Sequence, residues 1–253
     1  MVKIFIDPGH GGADPGAVGN GLQEKELTLQ ISKKIRDLLL QYENAQVRLS
    51  RDSDLTLGLS QRTDMANAWG ADYLLSVHIN SGGGTGFESY IHNNPSSASI
   101  VYQNVIHPEV IKQIDLTDRG KKRANFHMVR ESTMPALLTE NGFIDTPADA
   151  VKLKQDAYLN RIALGHVNGL VKAFGLKRKP NTSGNKEESK LYQPTSKSLI
   201  DLTERVLQDL TDENKHGDKA LSKNWLNQLR KGELTESDAI GLLYAAIERG
   251  LLK

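Results

Sequence analysis

The sequence contains no cysteine, and this absence excludes several kinds of chemistry. Disulfide bonds, thiol nucleophiles and zinc sites with cysteine ligands are all ruled out. Because no disulfide can cross-link the chain, the stability of the fold must come from a hydrophobic core. Hydrophobic residues make up 38% of the chain, which is enough for a core and leaves room for solvated helix or linker.

A strong excess of charge and a long apolar run are also missing. The formal net charge is +1 over 253 residues, so we expect neither nucleic acid nor an anionic membrane as a partner. No apolar run approaches the ~20 residues that span a bilayer, and no signal-peptide pattern precedes the first strand pattern. We therefore expect synthesis in the cytoplasm without a signal peptide, and exit by another route.

The stretch VKIFIDPGHGGADPGAVGNGLQE, residues 2–24, is the one around which the chain is organised. Its apolar start, Val2 to Ile6, predicts a buried strand, which a glycine-rich turn breaks abruptly. Ligands of open α/β sheets bind outside the carboxyl ends of the strands. His10 projects from such an end, and Glu24, at the start of a strong helix pattern, can reach the same place.

Downstream, helical periodicity alternates with short apolar runs, a pattern typical of an α/β sheet with helices on both faces. Pro108 disfavours one unbroken helix in its segment, so we expect a kink or a restart there. We expect Asn141-Gly142 to turn the chain after the last strand. The predicted strands are residues 2–6, 47–49, 73–77, 87–91, 126–129 and 135–139, and the predicted helices are residues 24–42, 60–69, 96–114 and 156–174, with a further helix start at Thr146-Pro147.

The composition divides the chain into three parts. Residues 1–176 form the predicted α/β domain, and residues 177–196 are polar, lack apolar periodicity and contain proline, glycine and serine, as linkers do. Residues 197–253 carry three sets of helically spaced apolar residues and no strand pattern. We therefore predict a small all-α domain at the C-terminus.

Four residues at the ends of predicted elements carry the candidate chemistry: His10, Glu24, His78 and Glu140. Two imidazoles and one carboxylate suit zinc, and they leave a fourth position for water. A nearby carboxylate that is not a ligand can take a proton from that water, and Glu140 is placed for this role. The ligands lie far apart in sequence, so only the fold can bring them together.

Each of these residues also has an ordinary interpretation. His10 could be a loop residue, Glu24 an acid in the first turn of a helix, and His78 a residue of the core. The glycine-rich loop lacks the Gly-Lys-Ser/Thr ending and the strict dinucleotide pattern, so phosphate binding is disfavoured. His127 is held in reserve as a site residue because it falls in a predicted strand. The other histidines, His92, His107, His166 and His216, show no convergent context.

Three segments, taken together, favour the catalytic interpretation of these residues over the ordinary one. They are IFIDPGHGGADPGAVGNGLQEKELTLQ, QRTDMANAWGADYLLSVHIN and MPALLTENGFID, and they follow one another in this order. They resemble the zinc-dependent N-acetylmuramoyl-L-alanine amidases of the type-3 family, over about residues 1–175. The resemblance implies a twisted mixed sheet flanked by helices. It also implies cleavage of the amide between N-acetylmuramic acid and the L-alanine of the stem peptide.

The resemblance also implies roles for individual residues. His10, Glu24 and His78 match the family's zinc ligands, and Glu140 matches its catalytic glutamate. Together they imply one catalytic Zn²⁺ ion.

Further residues fall in family segments that border the cleft. Asn80 and Arg130 lie in such segments, and we expect them to contact the substrate. The chain departs from the family pattern after Gly-Phe, where relatives often carry Ser-Asn and this sequence has Ile144-Asp145-Thr146. That departure bears on the loop rather than on the chemistry.

The expected partner is peptidoglycan in the bacterial cell wall. An enzyme of this kind without a signal peptide resembles phage lysins, which need a holin-type pore, or mother-cell autolysins, which act after cell lysis. The helical tail would then hold the enzyme on the wall and raise its effective concentration there. A catalytically silent wall-binding module and another zinc hydrolase, such as a peptidase or a sugar deacetylase, are the rival interpretations.

Overall fold

The computed structural model describes residues 1–179, 197–212, 215 and 224–231. The chain divides into two compact units, Met1–Pro180 and Asn181–Lys253. This division falls within the range 177–196 that the sequence analysis assigns to a linker, of which residues 180–196 lie outside the described residues. The linker and domain boundaries stay predictions.

The two units contain the following elements. The strands are β1 Val2–Pro8, β2 Val18–Gly19, β3 Leu22–Gln23, β4 Ala45–Leu49, β5 Tyr73–Asn80, β6 Phe87–Ile91, β7 Asp118–Arg123 and β8 Ala136–Phe143. The helices are α1 Glu24–Leu39, α2 Leu59–Trp69, α3 Ser97–Ile111, α4 His127–Arg130, α5 Pro147–Leu153, α6 Asp156–Phe174, α7 Lys197–Leu210 and α8 Asn224–Lys231.

Six strands of the first unit form one mixed sheet in the order β4-β1-β5-β8-β6-β7. β1 pairs in parallel with β4 and β5, and β5 pairs in parallel with β8. The pairing of β6 with β8 is antiparallel, and β7 runs parallel to β6. β2 and β3 form a separate small hairpin. The predicted mostly parallel, mixed α/β sheet is therefore confirmed.

Helices cover both faces of the sheet, because alternate side chains of each strand point to opposite faces. Ile4 and Ile6 of β1 pack into the larger core cluster, which also contains buried residues of α1, α3 and α6. Phe5 lies between them in sequence and packs into a second cluster with Ala66 of α2 and Met128 of α4. The predicted helical layers on both faces are thus confirmed.

Residues 126–129 do not form the predicted strand. Phe126 precedes α4, and residues 127–129 belong to this single helical turn, in which Met128 and Val129 are both buried. A strand and one helical turn cannot be distinguished by periodicity over four residues, so the prediction was wrong.

The last predicted strand is longer than expected. β8 continues through Asn141 and Gly142 to Phe143 rather than turning. The Asn141 side chain stays inside the sheet because its amide donates to the backbone oxygen of His78 at 3.0 Å. An irregularity between His78 and Asn80 on the neighbouring strand absorbs the change of register.

At Pro108 the sequence predicts a kink or a restart of the helix; the restart is not seen, and the kink stays a prediction. α3 runs without a restart from Ser97 to Ile111. Pro108 lies in its last turn, where the loss of one backbone donor does not prevent the helix from finishing.

The sequence analysis missed β7, whose sequence DRGKKR has no apolar residue. It is the edge strand of the sheet, and lysine and arginine on an edge discourage pairing with another chain.

The described residues of the second unit are helical apart from Thr211 and Asp212, which follow α7. α7 and α8 contact each other, and an ion pair of 2.7 Å joins Arg230 to Glu204. Leu207, Leu210 and Leu226 are buried within this unit. The third helix predicted for the tail lies outside the described residues. No helix among the described residues is long and apolar enough to cross a membrane.

Candidate active site

Three of the predicted site residues meet at one edge of the sheet. β1 and β5 are parallel neighbours, so the segments after both strands emerge side by side. His10 follows β1, and the amide of the preceding Gly9 still donates to Val77 of β5 at 3.0 Å. His78 lies near the end of β5, and Glu24 is the first residue of α1.

The side-chain donors of these three residues converge on a small volume. The His78 Nδ1 atom lies 2.9 Å from Oε1 of Glu24, and the His10 Nε2 atom lies 3.2 Å from the same oxygen. One ligand atom from each of the three residues lies within 4.8 Å of the others. The two imidazole rings meet edge to face, with their centroids 5.1 Å apart.

Outer contacts fix the orientation of each group. Asp14 Oδ2 lies 2.8 Å from the other ring nitrogen of His10, so Nε2 is directed toward Glu24. The backbone amide of Ala17 donates to Glu24 Oε2 at 2.8 Å, and that of Ile79 donates to Oε1 at 3.0 Å. Contacts of this kind orient metal ligands in proteins.

A buried guanidinium holds the loop that carries His10. Arg62 of α2 donates to the backbone oxygens of Pro8 at 2.7 Å and His10 at 2.6 Å. It also forms an ion pair of 2.8 Å with the buried carboxylate of Asp7. His10 itself has a left-handed backbone, with φ of 61°, which these bonds help to maintain.

Two glycines make room for the ligands. A Cβ atom on Gly16, whose φ is 66°, would lie 2.6 Å from Glu24 Oε2 and 2.7 Å from the His10 ring. A Cβ atom on Gly9 would lie 2.3 Å from the His78 ring. The glycine-rich loop is therefore required for the close packing of His10, Glu24 and His78, rather than for phosphate binding.

The three groups shift one another's pKa values. Burial alone would raise the pKa of Glu24, but hydrogen bonds with both histidines outweigh it and hold that pKa well below its usual range. Burial opposes protonation of His10, yet Glu24 and Asp14 raise its pKa to about 9. The pKa of His78 is also raised, chiefly by Glu24, against the effect of burial. The cluster thus attracts positive charge, and its two imidazoles and one carboxylate fit Zn²⁺.

Glu140 lies beside this cluster. It is the register partner of His78 between the parallel strands β5 and β8. Its Oε2 atom is buried and has no hydrogen-bond partner among the described residues. Burial raises the pKa of Glu140 to about 7, against the opposing effect of His78. A carboxyl group in this state can exchange a proton near neutral pH.

The structure adds Glu88, which the sequence analysis missed. Glu88 is 2% exposed, and its Oε1 atom accepts from Asn80 Nδ2 at 2.6 Å and from the Tyr90 hydroxyl at 2.9 Å. Its Oε2 atom accepts from Arg119 Nε at 2.8 Å and from Lys122. The predicted residue Asn80 therefore lies near the ligands, with its amide held by Glu88.

Two other predicted residues lie elsewhere. Arg130 contacts Asn125 and Glu131, and it lines a cavity of about 310 Å³ together with Pro135, which precedes β8. Glu140 lies five residues after Pro135 along the chain. In an extended strand this spacing separates the backbones of Pro135 and Glu140 by ~16 Å. Arg130 therefore lies toward the opposite end of β8 from Glu140, and its contact with the substrate stays a prediction.

His127, the residue held in reserve, is in α4 rather than in a strand. Its Nε2 atom lies 3.3 Å from Thr63 Oγ1 of α2. It is not part of the His10, Glu24 and His78 group.

The departure at residues 144–146 fastens the loop after β5. Asp145 Oδ2 accepts from the backbone amides of Gly82 at 2.7 Å and Gly83 at 2.8 Å. The Thr146 hydroxyl donates to the backbone oxygen of Gly84. Residues of this turn therefore position the loop that borders Asn80.

Residues 4–172 match the family model described as N-acetylmuramoyl-L-alanine amidase. The chain belongs to this family. The match covers the sheet from Ile4 of β1 onward and every residue of the candidate site, and it ends before the second unit.

Curated relatives and a solved structure agree with this assignment. The chain is 60% identical over 185 residues to the sporulation-specific N-acetylmuramoyl-L-alanine amidase of Bacillus subtilis (strain 168), covering 73% of this chain and 72% of that protein. It is 41% identical over 203 residues to the endolysin of Bacillus phage SPP1, covering 78% and 75%. The catalytic domain of the amidase CwlV from Bacillus (Paenibacillus) polymyxa var. colistinus is similar with a TM-score of 0.67 and 36% identity, covering 70% of this chain and 100% of that domain.

Proposed function

We propose that this protein is a zinc-dependent peptidoglycan amidase that hydrolyses the bond between N-acetylmuramic acid and the L-alanine of the stem peptide. Family membership supports the amidase activity. The observation that carries the zinc dependence is the convergence of His10, Glu24 and His78 within 4.8 Å, beside the buried Oε2 atom of Glu140, which has no hydrogen-bond partner in the described part of the chain.

The residues have separate roles in this proposal. His10, Glu24 and His78 hold the ion, which when bound would polarise the amide carbonyl and lower the pKa of a water molecule. Glu140 takes the proton from the attacking water and then delivers it to the leaving amine of L-alanine. The register pairing of Glu140 with His78 on the neighbouring strand supports this role.

Parts outside the metal site complete the proposal. Asn80, next to the ligands, contacts the substrate near the scissile bond, and Arg130 contacts more distant parts of the polymer. Residues 197–253 hold the enzyme on the wall, and residues 177–196 connect the two domains. The enzyme acts on the wall after release from the cytoplasm, through a holin-type pore or cell lysis.

The bond that opens is the decisive observation. Purified peptidoglycan digested with the zinc-loaded enzyme should release peptides that begin with a free L-alanine amine, and leave glycan strands with intact N-acetyl groups. Mass spectrometry of the fragments reads this directly. Release of acetate or cleavage within the peptide would show that the protein is a deacetylase or a peptidase instead. The variant Glu140→Gln serves as the control for contaminating hydrolases.

A further inference from the structure

The sheet carries a cationic cluster beside Glu140 that the catalytic chemistry does not use. Arg119 and Lys122 of the edge strand β7 both reach Oε2 of Glu88. Glu88 is 2% exposed, whereas the side chains of Arg119 and Lys122 are 34% and 35% exposed. A buried carboxylate thus fixes two cations that remain open to solvent.

The charges in this cluster do not cancel. Glu88 already accepts hydrogen bonds from Asn80 and Tyr90 on its other oxygen. One negative charge therefore faces two positive charges, and the cluster has one positive charge in excess. Burial opposes ionisation of Glu88, but Lys122 and Arg119 lower its pKa, so the carboxylate stays charged.

An aromatic ring contacts each of the two cations. The Arg119 guanidinium lies 4.8 Å from the centroid of the Phe143 ring, and Lys122 Nζ lies 5.8 Å from that of Tyr90. Cation–π contacts restrict both side chains without using their hydrogen-bond donors. Each cation therefore keeps donors that can reach a ligand.

The cluster and Glu140 share one face of the sheet. Glu88 is the cross-strand partner of Glu140 between β6 and β8, so the two side chains point to the same face. β7 is the next strand beyond β6, which places its backbone ~10 Å from that of β8. An extended peptide covers this distance in about three residues.

We propose that Arg119 and Lys122 form a subsite that binds a free carboxylate on the second or third residue of the stem peptide. This inference rests on the proposed cleavage at the first residue, L-alanine, with Glu140 at the scissile bond. The peptide crosses from β8 over β6 to β7, where a guanidinium and an ammonium group can both donate to one carboxylate. Amidation of that carboxylate removes the charge and weakens binding.

The test compares synthetic N-acetylmuramoyl tripeptides that carry both side carboxylates free, only the second residue amidated, or only the third residue amidated. The zinc-loaded full-length protein should prefer the free form over one amidated form by about tenfold in kcat/KM, mainly through KM. The amidated position that causes the loss identifies the bound residue. Equal cleavage of the three substrates would overturn the proposal. If none opens at the muramoyl–alanine bond, the proposed function fails as well.

Variants of β7 separate binding from structural support. Lys122→Met should reduce the tenfold preference to about threefold or less, and Lys122→Gln, which keeps a donor for Glu88, should do the same. Lys121→Met is the matched control, because Lys121 is the adjacent lysine and donates instead to Asn104 of α3. It should keep the wild-type preference. If both Lys122 variants slow cleavage of the free and amidated substrates by the same factor, Lys122 only supports Glu88 and the proposal is wrong.

Discussion

Two pairs of histidines in the first unit lie in opposite electrostatic surroundings. His10 and His78 share the carboxylate of Glu24, and their pKa values are raised. His107 and His166 are both buried near Phe87, with ring centroids 5.1 Å and 6.2 Å from its ring, and burial lowers their pKa values. The first pair attracts positive charge, and the second pair resists it.

The second pair also shows that hydrogen-bonded residue types alone do not make a catalytic site. His107 lies 2.8 Å from the Ser89 hydroxyl through Nδ1 and 2.8 Å from Asp118 through Nε2. These are the residue types of a serine-hydrolase triad, but the two ring nitrogens have exchanged partners. Ser89 is fully buried at 0% exposure, however, and no substrate can reach it. Glu140, by contrast, has a buried carboxylate oxygen without a partner in the part of the chain that the structure describes, and it lies beside the converging donors of His10, Glu24 and His78. The two regions contain similar residue types. They differ in whether a substrate can reach the reactive group and in whether a buried polar atom lacks a hydrogen-bond partner in the described residues.

Substitution of one histidine in each pair by alanine should give the largest difference between the two regions. His78→Ala should lose the bound zinc and all measurable hydrolysis, because two ligands cannot replace three. His107→Ala should keep zinc and the activity of each folded molecule, while unfolding about 2–4 kcal/mol more easily. Metal analysis, cleavage assays and urea unfolding on both proteins give the three quantities.

The opposite pattern would contradict the assignment. Retention of zinc by His78→Ala would remove His78 from the ligand set. Loss of zinc by folded His107→Ala would connect the buried pair to the metal site.

The convergence of the proposed metal ligands could be predicted from the sequence because these residues obey a simple rule of sheet geometry. His10 and His78 follow or end apolar runs, Glu24 opens a periodic helix, and the carboxyl ends of parallel strands meet at one edge. The long periodic helices α1 and α6 were predicted for the same reason, since each buries one continuous face. For the strand ends and for α1 and α6, the local sequence pattern is therefore enough to predict where the residues lie in the fold.

Glu88, β7 and the position of Arg130 depend on contacts between strands that are distant in sequence, and the local sequence pattern does not show these contacts. Glu88 lies in an ordinary strand pattern, FESYI, and its importance comes from cross-strand contacts with Glu140 and β7. β7 is an edge strand with no apolar residue, so it has no hydrophobic signal. Arg130 was assigned to the cleft by resemblance, whereas only the fold shows that it lies at the other end of β8 from Glu140.

Substitution of Glu140, the proposed proton acceptor, should lower the catalytic rate without changing the proposed metal ligands. Glu140→Gln should keep one zinc ion and the fold, because the two side chains are nearly isosteric. The catalytic rate should fall by roughly 10²–10⁴-fold, the usual contribution of a general base. Glu43→Gln, which changes an exposed carboxylate, is the matched control and should match the wild type. Activity within a few-fold of the wild type would reduce Glu140 to a structural role, and loss of zinc would make it a ligand.

The smallest effect concerns stability in acid. Burial lowers the pKa of His166 to about 4, below the ~6.5 of an unfolded histidine. The folded state therefore gains stability from a neutral His166 above pH ~6.5 and loses it as the pH falls toward 4, by at most about 3 kcal/mol. His166→Gln should flatten the dependence of the urea midpoint on pH in this window. An unchanged slope would show that His166 does not control the acid sensitivity.

Removal and return of the metal test the central claim most directly. The purified protein should lose hydrolysis when a chelator strips its zinc, and titration with Zn²⁺ should restore the rate in proportion to bound metal. The rate should level off at one ion per chain, because His10, Glu24 and His78 form one site. Full hydrolysis of the muramoyl–alanine bond by protein that contains no metal would contradict the account.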